Sequence, residues 1–322
     1  MKRTKVAVID NSVTSGAVRE YLETHFEVIY VTRQIFLNDR AQILKCNRII
    51  WIHVETLIYA RDLESMNSDT ILVSTTTGFT HIAKEVISFL GSRFISLKLE
   101  SDFLKSITST AELALTFVLM GLTGVQTARA DVLKGNWNRL GNVRAKQVSS
   151  ATAGIIGYGR LGRILASYLR PIVSKVVIWD IDSRACSQAQ IDGFEISTNL
   201  ERLISVSDVV SLHASVIPEQ DPIIHKRTLI EAKPGLVLVN TSRGSLVCEE
   251  DIVWGVNCGV LQSYWTDVLS CEESGENLTS SKLWQESLVD DRICITPHIG
   301  GASKDAIEKC EMQLALRLKN AI

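Results

Sequence analysis

The sequence predicts an α/β protein built from two doubly wound parallel-sheet domains, and three observations carry that expectation. Val/Ile-rich runs recur in two series, helix-length amphipathic stretches separate them, and 322 residues exceed what one small core holds. The first series is KVAVID (5–10), FEVIYV (26–31), RIIWIH (48–53), TILVST (70–75) and FISLKL (94–99). The second is TAGIIG (152–157), KVVIWD (175–180), DVVSLH (208–213), GLVLVN (235–240), LQSYWTDV (261–268) and RICITP (292–297). Near-continuous apolar runs suit strands covered by helices on both faces. AELALTFVLMGLTG (111–124) reads as a buried helix, because it falls short of the roughly 18 apolar residues of a membrane span. The polar stretch KGNWNRLGNVRAKQVSS (134–150) reads as a surface connection. From Ser303 to Asn320, an N-cap serine and apolar residues at 307, 310, 314 and 318 predict an amphipathic helix.

Composition narrows the function classes. A formal net charge of −2 gives no basic field for nucleic acid or a membrane surface. Seven scattered cysteines without a C-x-x-C suggest reduced thiols, not a disulfide framework or a zinc site. The opening MKRTKVAVIDNS loses its apolar run at Asp10, too soon for a signal peptide, so a cytoplasmic protein is expected.

The strongest local motif is Gly157-x-Gly159-x-x-Gly162, directly after a strand-like run and directly before a helical pattern. The first glycine makes a tight turn, the second admits a pyrophosphate, and the third lets helix and strand pack closely. Tyr158, Arg160 and Leu161 complete the turn. Asp180, 18 residues beyond Gly162, ends the next strand, where a carboxylate accepts from ribose hydroxyls and repels a 2′-phosphate. The expected cofactor is NAD rather than NADP, with Arg184 the one nearby cation that bears on the choice.

Three further residues each follow a strand: Arg243 in NTSRGS, Glu272 in SCEES and His298 in ITPHIGGAS. Singly they read as a surface arginine, a solvated glutamate and a packed, metal-binding or proton-donating histidine. Together they put a cation, a carboxylate and an imidazole at strand C-terminal ends, where open α/β sheets bind ligands.

With STAELALTFVLMGL, GIIGYGRLG, SLHASVIPEQDPIIHKRTLIEAKPGLVLVNTSRGSLV, TDVLSCEE and TPHIGGAS in this order, the chain resembles the D-isomer-specific 2-hydroxyacid dehydrogenases. The resemblance implies a flavodoxin-like substrate domain from 1–107, an inserted Rossmann NAD-binding domain from 108–299, and a terminal helix, 300–322, returning to the first. It implies hydride exchange between NAD and a 2-oxoacid or D-2-hydroxyacid, with His298 as general acid/base, Glu272 as its partner and Arg243 holding the substrate carboxylate and carbonyl. It further implies that Asp267, Thr241, Ser242 and His213 line the cofactor, that Thr76, Thr77 and Gly78 form the substrate loop, and that the protein is a homodimer. Several positions depart from the family's pattern: Glu273, Ser150-Ala151, Ala214-Ser215, Thr80, Ala83 and Leu113. All bear on substrate identity or packing, and none on the three catalytic candidates. A cofactor-sensing regulator on the same fold, resembling corepressors, is the alternative from another class. His53, Val54, Glu55 and Thr56 stand where phosphoglycerate-type members carry cations, so an unphosphorylated substrate is expected, with Arg61 and Arg93 the residues that bear on it.

Overall fold

A computed structural model describes residues 3–79, 81–137, 139, 146–217 and 220–322. Thr80 and positions 138 and 140–145 of the surface connection lie outside the described residues, as does the side chain of Glu273. Two compact units divide the chain, Met1–Ile107 with Ser303–Ile322, and Thr108–Ala302.

In the first unit, strands β1 (Lys5–Ile9), β2 (Glu27–Val31), β3 (Ile49–Ile52), β4 (Ile71–Ser74) and β5 (Phe94–Ser96) form one sheet in the order β2-β1-β3-β4-β5. Every pairing in it is parallel. This is the flavodoxin-like order. Successive residues of a strand face opposite sides, so β1 sends Val6 and Val8 to one core and Ala7 and Ile9 to the other. Helices Gly16–His25 and Lys304–Asn320 cover the first of these faces.

The terminal helix differs from the expected stripe. Ala306, Glu311, Leu314, Ala315 and Leu318 are its buried residues, whereas Ile307 is only half-buried. Glu311 turns the face inward: its carboxylate accepts the N–H groups of Thr14 (2.8 Å) and Ser15 (3.0 Å) and the Thr14 hydroxyl (2.9 Å). Ser303 precedes the helix as expected but makes no side-chain capping bond.

The second unit holds β6 (Thr152–Ile156), β7 (Lys175–Trp179), β8 (Glu195–Ile196), β9 (Val209–Leu212), β10 (Leu236–Asn240), β11 (Leu261–Thr266) and β12 (Ile293–Ile295). Their order is β12-β11-β10-β9-β6-β7-β8, again all parallel. The order reverses between β6 and β9, which makes the crevice at their C-terminal ends the ligand position of a doubly wound sheet.

Each apolar run of the sequence holds a strand, and only the two-residue edge strand β8 was not anticipated. Helix Ser109–Thr123 is buried along Ala111, Ala114, Phe117, Val118 and Leu122, and Leu113 packs beside them. It approaches the sheet so closely that a Cβ on Gly121 would sit 2.4 Å from Val237 Cγ1. Within Ser101–Thr123 an 18-residue window reaches a mean hydropathy of 1.3, but the backbone leaves the helix between Leu104 and Ser109, so the continuous helix has 15 residues. That is shorter than a bilayer requires. After Gly124, whose left-handed φ of 65° ends this helix, helix Val125–Leu133 has no buried residue at all.

Candidate functional site

The three glycines after β6 have three different reasons to lack a side chain. Gly157 turns the chain at φ +96°, and a Cβ there would sit 2.6 Å from the His213 carbonyl carbon, across the β6/β9 crevice. A Cβ on Gly162 would sit 2.0 Å from the Gly157 oxygen, so helix Arg160–Leu169 packs on the turn only through glycine. Gly159 has nothing within 4 Å of where its Cβ would be. That open space lies at the N-terminal end of the helix, where free N–H groups attract an anion.

Asp180 follows β7 and organises this turn. Its Oδ2 accepts the Tyr158 N–H (2.6 Å) and its Oδ1 the Asp182 N–H (2.8 Å). Carboxylate oxygens have two lone pairs each, so acceptor capacity remains. Arg184 is turned onto Asp182 in a two-pronged contact through Nε (3.2 Å) and Nη2 (3.0 Å). Its charge is already paired with an acid.

Tyr158 departs from its expected place at the cofactor. Its ring is buried, edge-on to Phe194, and its hydroxyl donates to Asp192 (2.8 Å). Burial, the first cause, and that hydrogen bond push the phenol's pKa upward. Only the backbone of Tyr158 belongs to the turn. Arg160 opens the helix and Leu161 follows it, half-buried.

His213, Thr241 and Ser242 gather at the same crevice. The Ser242 hydroxyl donates to the Leu212 carbonyl (2.8 Å), tying the end of β10 to the end of β9. His213 pairs through Nε2 with Ser211 (2.9 Å), and burial pushes its pKa down to about 4, so the ring is neutral. Its Nδ1 and the Thr241 hydroxyl are buried without a hydrogen-bond partner. Such orphaned atoms are uncommon, and a bound polar ligand is one thing that satisfies them.

The catalytic candidates lie in this unit too. Glu272 sits in the short helix Ser270–Ser274 and is fixed at both oxygens: Oε1 accepts the Leu269 N–H (2.7 Å) and Oε2 faces His298 Nδ1 at 2.6 Å. A carboxylate has no proton to give, so the Nδ1–H of His298 is the donor. That leaves Nε2 as the nitrogen open to chemistry. The Glu272 hydrogen bond raises the His298 pKa above its ordinary value, against burial and the repulsion of Arg243. Burial alone would push Glu272 up, but its bonds to His298 and Leu269, with the charge of Arg243, hold it below the usual range. Arg243 is exposed, with Nη1 donating to the Ser242 carbonyl (2.7 Å).

His298 adopts a left-handed φ of 53°, rare for a residue with a Cβ and worth about 1–2 kcal/mol of strain. Asp267 offsets it. Its backbone carbonyl accepts the His298 N–H (2.9 Å), Oδ1 accepts Ile299 N–H (2.8 Å) and the Thr296 hydroxyl (2.5 Å), and Oδ2 accepts Gly300 N–H (2.7 Å). Bonds to an ionised acceptor contribute ~1.5–3 kcal/mol each, so a few exceed the strain. Asp267 was expected to line the cofactor, and it has a second set of partners. The structure gives its 1%-exposed carboxylate the task of holding the histidine loop.

Gly244 was not singled out in the sequence. A Cβ there would sit 2.0 Å from the Leu269 carbonyl carbon and 2.2 Å from the Ser270 nitrogen, so the Arg243 turn lies directly on the segment that starts the Glu272 helix. A cavity of about 590 Å³ reaches the Glu272–His298 pair, with Leu269, Trp284, Ile293 and Pro297 in its wall.

Residues 115–300 match the family described as D-isomer specific 2-hydroxyacid dehydrogenase, NAD binding domain, which is more than half of the chain. The chain belongs to this family. D-3-phosphoglycerate dehydrogenase of Haemophilus influenzae is 30% identical over 207 residues, 64% of this chain and 48% of that protein. Hydroxypyruvate reductase of Blautia hydrogenotrophica is 30% identical over 168 residues, 50% of this chain and 47% of that protein. The chain thus spans about half the length of these curated relatives. Among solved structures, the D-lactate dehydrogenase of Aquifex aeolicus, complexed with NAD and lactic acid, aligns at a TM-score of 0.79 with 22% identity, covering 98% of this chain and 94% of that one. The pyruvate reductase of Chlamydomonas reinhardtii gives 0.78 and 19%, covering 99% and 96%.

The second unit is therefore this dehydrogenase family's NAD-binding domain, and its residues fit the dinucleotide. Open space above Gly159 could take a pyrophosphate, Asp180 keeps acceptor capacity that a ribose could use, and His213 Nδ1 and the Thr241 hydroxyl are buried without a hydrogen-bond partner.

Thr76, Thr77 and Gly78 belong to the first unit, just past β4. Their loop is held by a directional chain. The Thr76 hydroxyl donates to the Gly78 carbonyl (2.8 Å), so it accepts from Ser74 (2.9 Å), which in turn accepts from His81 Nε2 (3.3 Å). Burial, with His53 adding to it, pushes the His81 pKa down to about 4, which keeps that ring neutral.

Proposed function

We propose that this protein is an NAD-dependent oxidoreductase that interconverts a 2-oxoacid and a D-2-hydroxyacid. The observation that carries the reading is the 2.6 Å His298–Glu272 contact, with Nε2 left open and Arg243 close enough to perturb both groups. When bound at the glycine turn, NAD supplies or takes the hydride. Arg243 binds the substrate carboxylate and carbonyl through its planar fork, which stays charged throughout. His298 holds a proton at Nε2 for the carbonyl oxygen and takes it back from the hydroxyl in the reverse direction. Glu272 orients the ring and favours its charged form, and such proton donation contributes ~10²–10⁴-fold.

Asp180 and Asp182, with Arg184 already paired to the second acid, support NAD over its 2′-phosphorylated form. The state of the nearby cations supports an unphosphorylated substrate: Arg33 and Arg61 lie past strand C-terminal ends, and Arg93 lies before β5, at the opposite edge of the parallel sheet. Arg93 donates to the Thr70 and Phe89 carbonyls, Arg33 faces Glu55 at 3.6 Å, and Arg61 stacks on Tyr59. Each has a partner of its own. Thr76, Thr77 and Gly78 are the backbone donors for the substrate carboxylate, and the chain of bonds behind them supports that role. Asp267, through its remaining lone pair, is assigned to the nicotinamide carboxamide as well as to the histidine loop.

An NADH-oxidation screen over glyoxylate, pyruvate, hydroxypyruvate, branched 2-oxoacids and 3-phosphohydroxypyruvate tests the reading. Turnover is expected with at least one unphosphorylated 2-oxoacid. Tight NADH binding without turnover of any of them would favour the regulator instead, and a kcat/KM dominated by the phosphorylated compound would overturn the substrate class.

A further inference from the structure

Glu249 is a buried carboxylate, 7% exposed, that the proposed chemistry does not use. It opens helix Glu249–Asn257, six residues after Arg243. Both of its oxygens are saturated, and they serve different partners. Oε1 accepts from Ser270, through the hydroxyl at 2.6 Å and the N–H at 3.4 Å. Oε2 accepts the Ser281 hydroxyl (2.7 Å) and the Leu283 N–H (3.2 Å). Ser270 is the first residue of the Glu272 helix, and the Glu272 carboxylate itself caps the preceding Leu269 N–H. The backbone at Leu269–Ser270 is also where Gly244 is pressed. The Arg243 turn, Glu249 and Glu272 therefore converge on two adjacent residues, Leu269 and Ser270.

We propose that Glu249 is a positioning residue: it clamps Leu269–Ser270 against the Arg243 turn and so fixes Glu272 and Arg243 relative to His298. This rests on the acid/base reading above and names the group that pre-organises it. A carboxylate is the fitting side chain, because four donors converge on it and it presents acceptors alone. Glutamine in its place turns an amide N–H toward one pair of donors, where the Ser hydroxyl can reverse but a backbone N–H cannot. A displacement of about 1 Å in a catalytic group lowers turnover by up to ~10²-fold. The titratable groups facing Glu249 are Cys271 and Tyr264, and those facing His298 are Glu272, Asp267 and Arg243.

The test reads His298 directly. The histidine titrations of the full-length protein are followed by NMR, with His298 identified by its loss in His298→Ala, and kcat for hydroxypyruvate reduction is measured beside it. In Glu249→Gln and Ser270→Ala the His298 midpoint is expected to fall and kcat to drop ~10–100-fold, with NADH affinity unchanged. Ser281→Ala loosens only the Oε2 side and is expected to lower Tm without moving the His298 midpoint. Should Glu249→Gln fail to fold, Ser270→Ala carries the comparison. Glu272→Gln is the reference. If it lowers the midpoint while Ser270→Ala and Glu249→Gln leave it in place, or if Ser281→Ala moves it as far as they do, the positioning role is overturned. An unmoved kcat in Glu272→Gln would instead overturn the acid/base reading itself.

Discussion

At the scale of single residues, His298 combines a strained backbone with a committed ring. Its backbone has a left-handed φ, and its Nδ1 faces Glu272 while Nε2 is left open, as the proposed chemistry requires. Replacing it by alanine is expected to lower kcat for 2-oxoacid reduction by ~10²–10⁴-fold while NADH affinity stays within about twofold, as steady-state kinetics and fluorescence titration will show. Glu272→Gln gives the pH prediction. Reduction needs the imidazolium, so activity is lost as pH rises through the His298 pKa, which Glu272 holds above its ordinary value. Without that carboxylate the alkaline limb for reduction moves to lower pH. An alkaline limb that stays where it was would remove Glu272 from the proton chemistry. Their positions at strand ends were legible in the sequence, and the roles proposed for them came from the order of motifs that resembles the family. Sequence order could not identify what Asp267 does, since the backbone groups it holds lie about thirty residues further along and only the fold brings them to its carboxylate. Tyr158 shows the opposite failure. Its position in the turn was legible, but the direction of its ring was decided by Phe194 and Asp192, more than thirty residues away.

Among the elements, strands were legible and turns only in part. A parallel strand covered on both faces writes itself as an apolar run, whereas β8, two residues at the sheet edge, leaves no such trace. The glycine turn was legible from its spacing: Gly157 and Gly162 have steric reasons of their own, and Gly159 between them leaves open space. Gly244 carries as sharp a constraint without a known spacing to announce it. Gly244→Ala is expected to displace the Leu269–Ser270 backbone, lowering stability by ~1–3 kcal/mol and kcat by at least about tenfold. Denaturant titration and turnover measured on the same preparation will check both, and a variant with native values of each would show the contact to be slack. Asp180 concerns the strand-to-loop junction after β7. Because it also anchors the Tyr158 and Asp182 N–H groups, Asp180→Ala is expected to weaken both cofactors, but the kcat/KM preference for NADH over NADPH should narrow at least about tenfold. An unchanged ratio would place the discrimination elsewhere.

For the whole molecule, the helix Val125–Leu133 is the feature least explained by its own chain. Val132, Leu133 and Trp137 are exposed, the last by 90%, and Leu288 and Val289 are exposed beside Asp291, which pairs with Lys134 at 2.8 Å. We propose these five large apolar groups, near one ion pair, as the seam of the homodimer that the family resemblance implies, and stable interfaces bury ~1,200–2,000 Å². Light scattering is expected to give about twice 35.7 kDa, and Leu133→Lys with Val289→Lys about half of that result. A wild-type monomer at micromolar concentration would sink the dimer.

The division of the chain into two units has an evolutionary consequence. Arg243, Glu272, His298 and the groups that fix them, Asp267, Gly244 and Glu249, all belong to Thr108–Ala302, whereas the Thr76–Gly78 loop belongs to the other unit. Mutations in that loop therefore fall outside the unit that holds the His298–Glu272 contact. Under the proposed reading, a lineage with this arrangement is free to drift from one acid to another without reinventing how the proton is delivered. It also inherits a fixed weak point, because any change at Leu269–Ser270 is felt by three functional side chains at once.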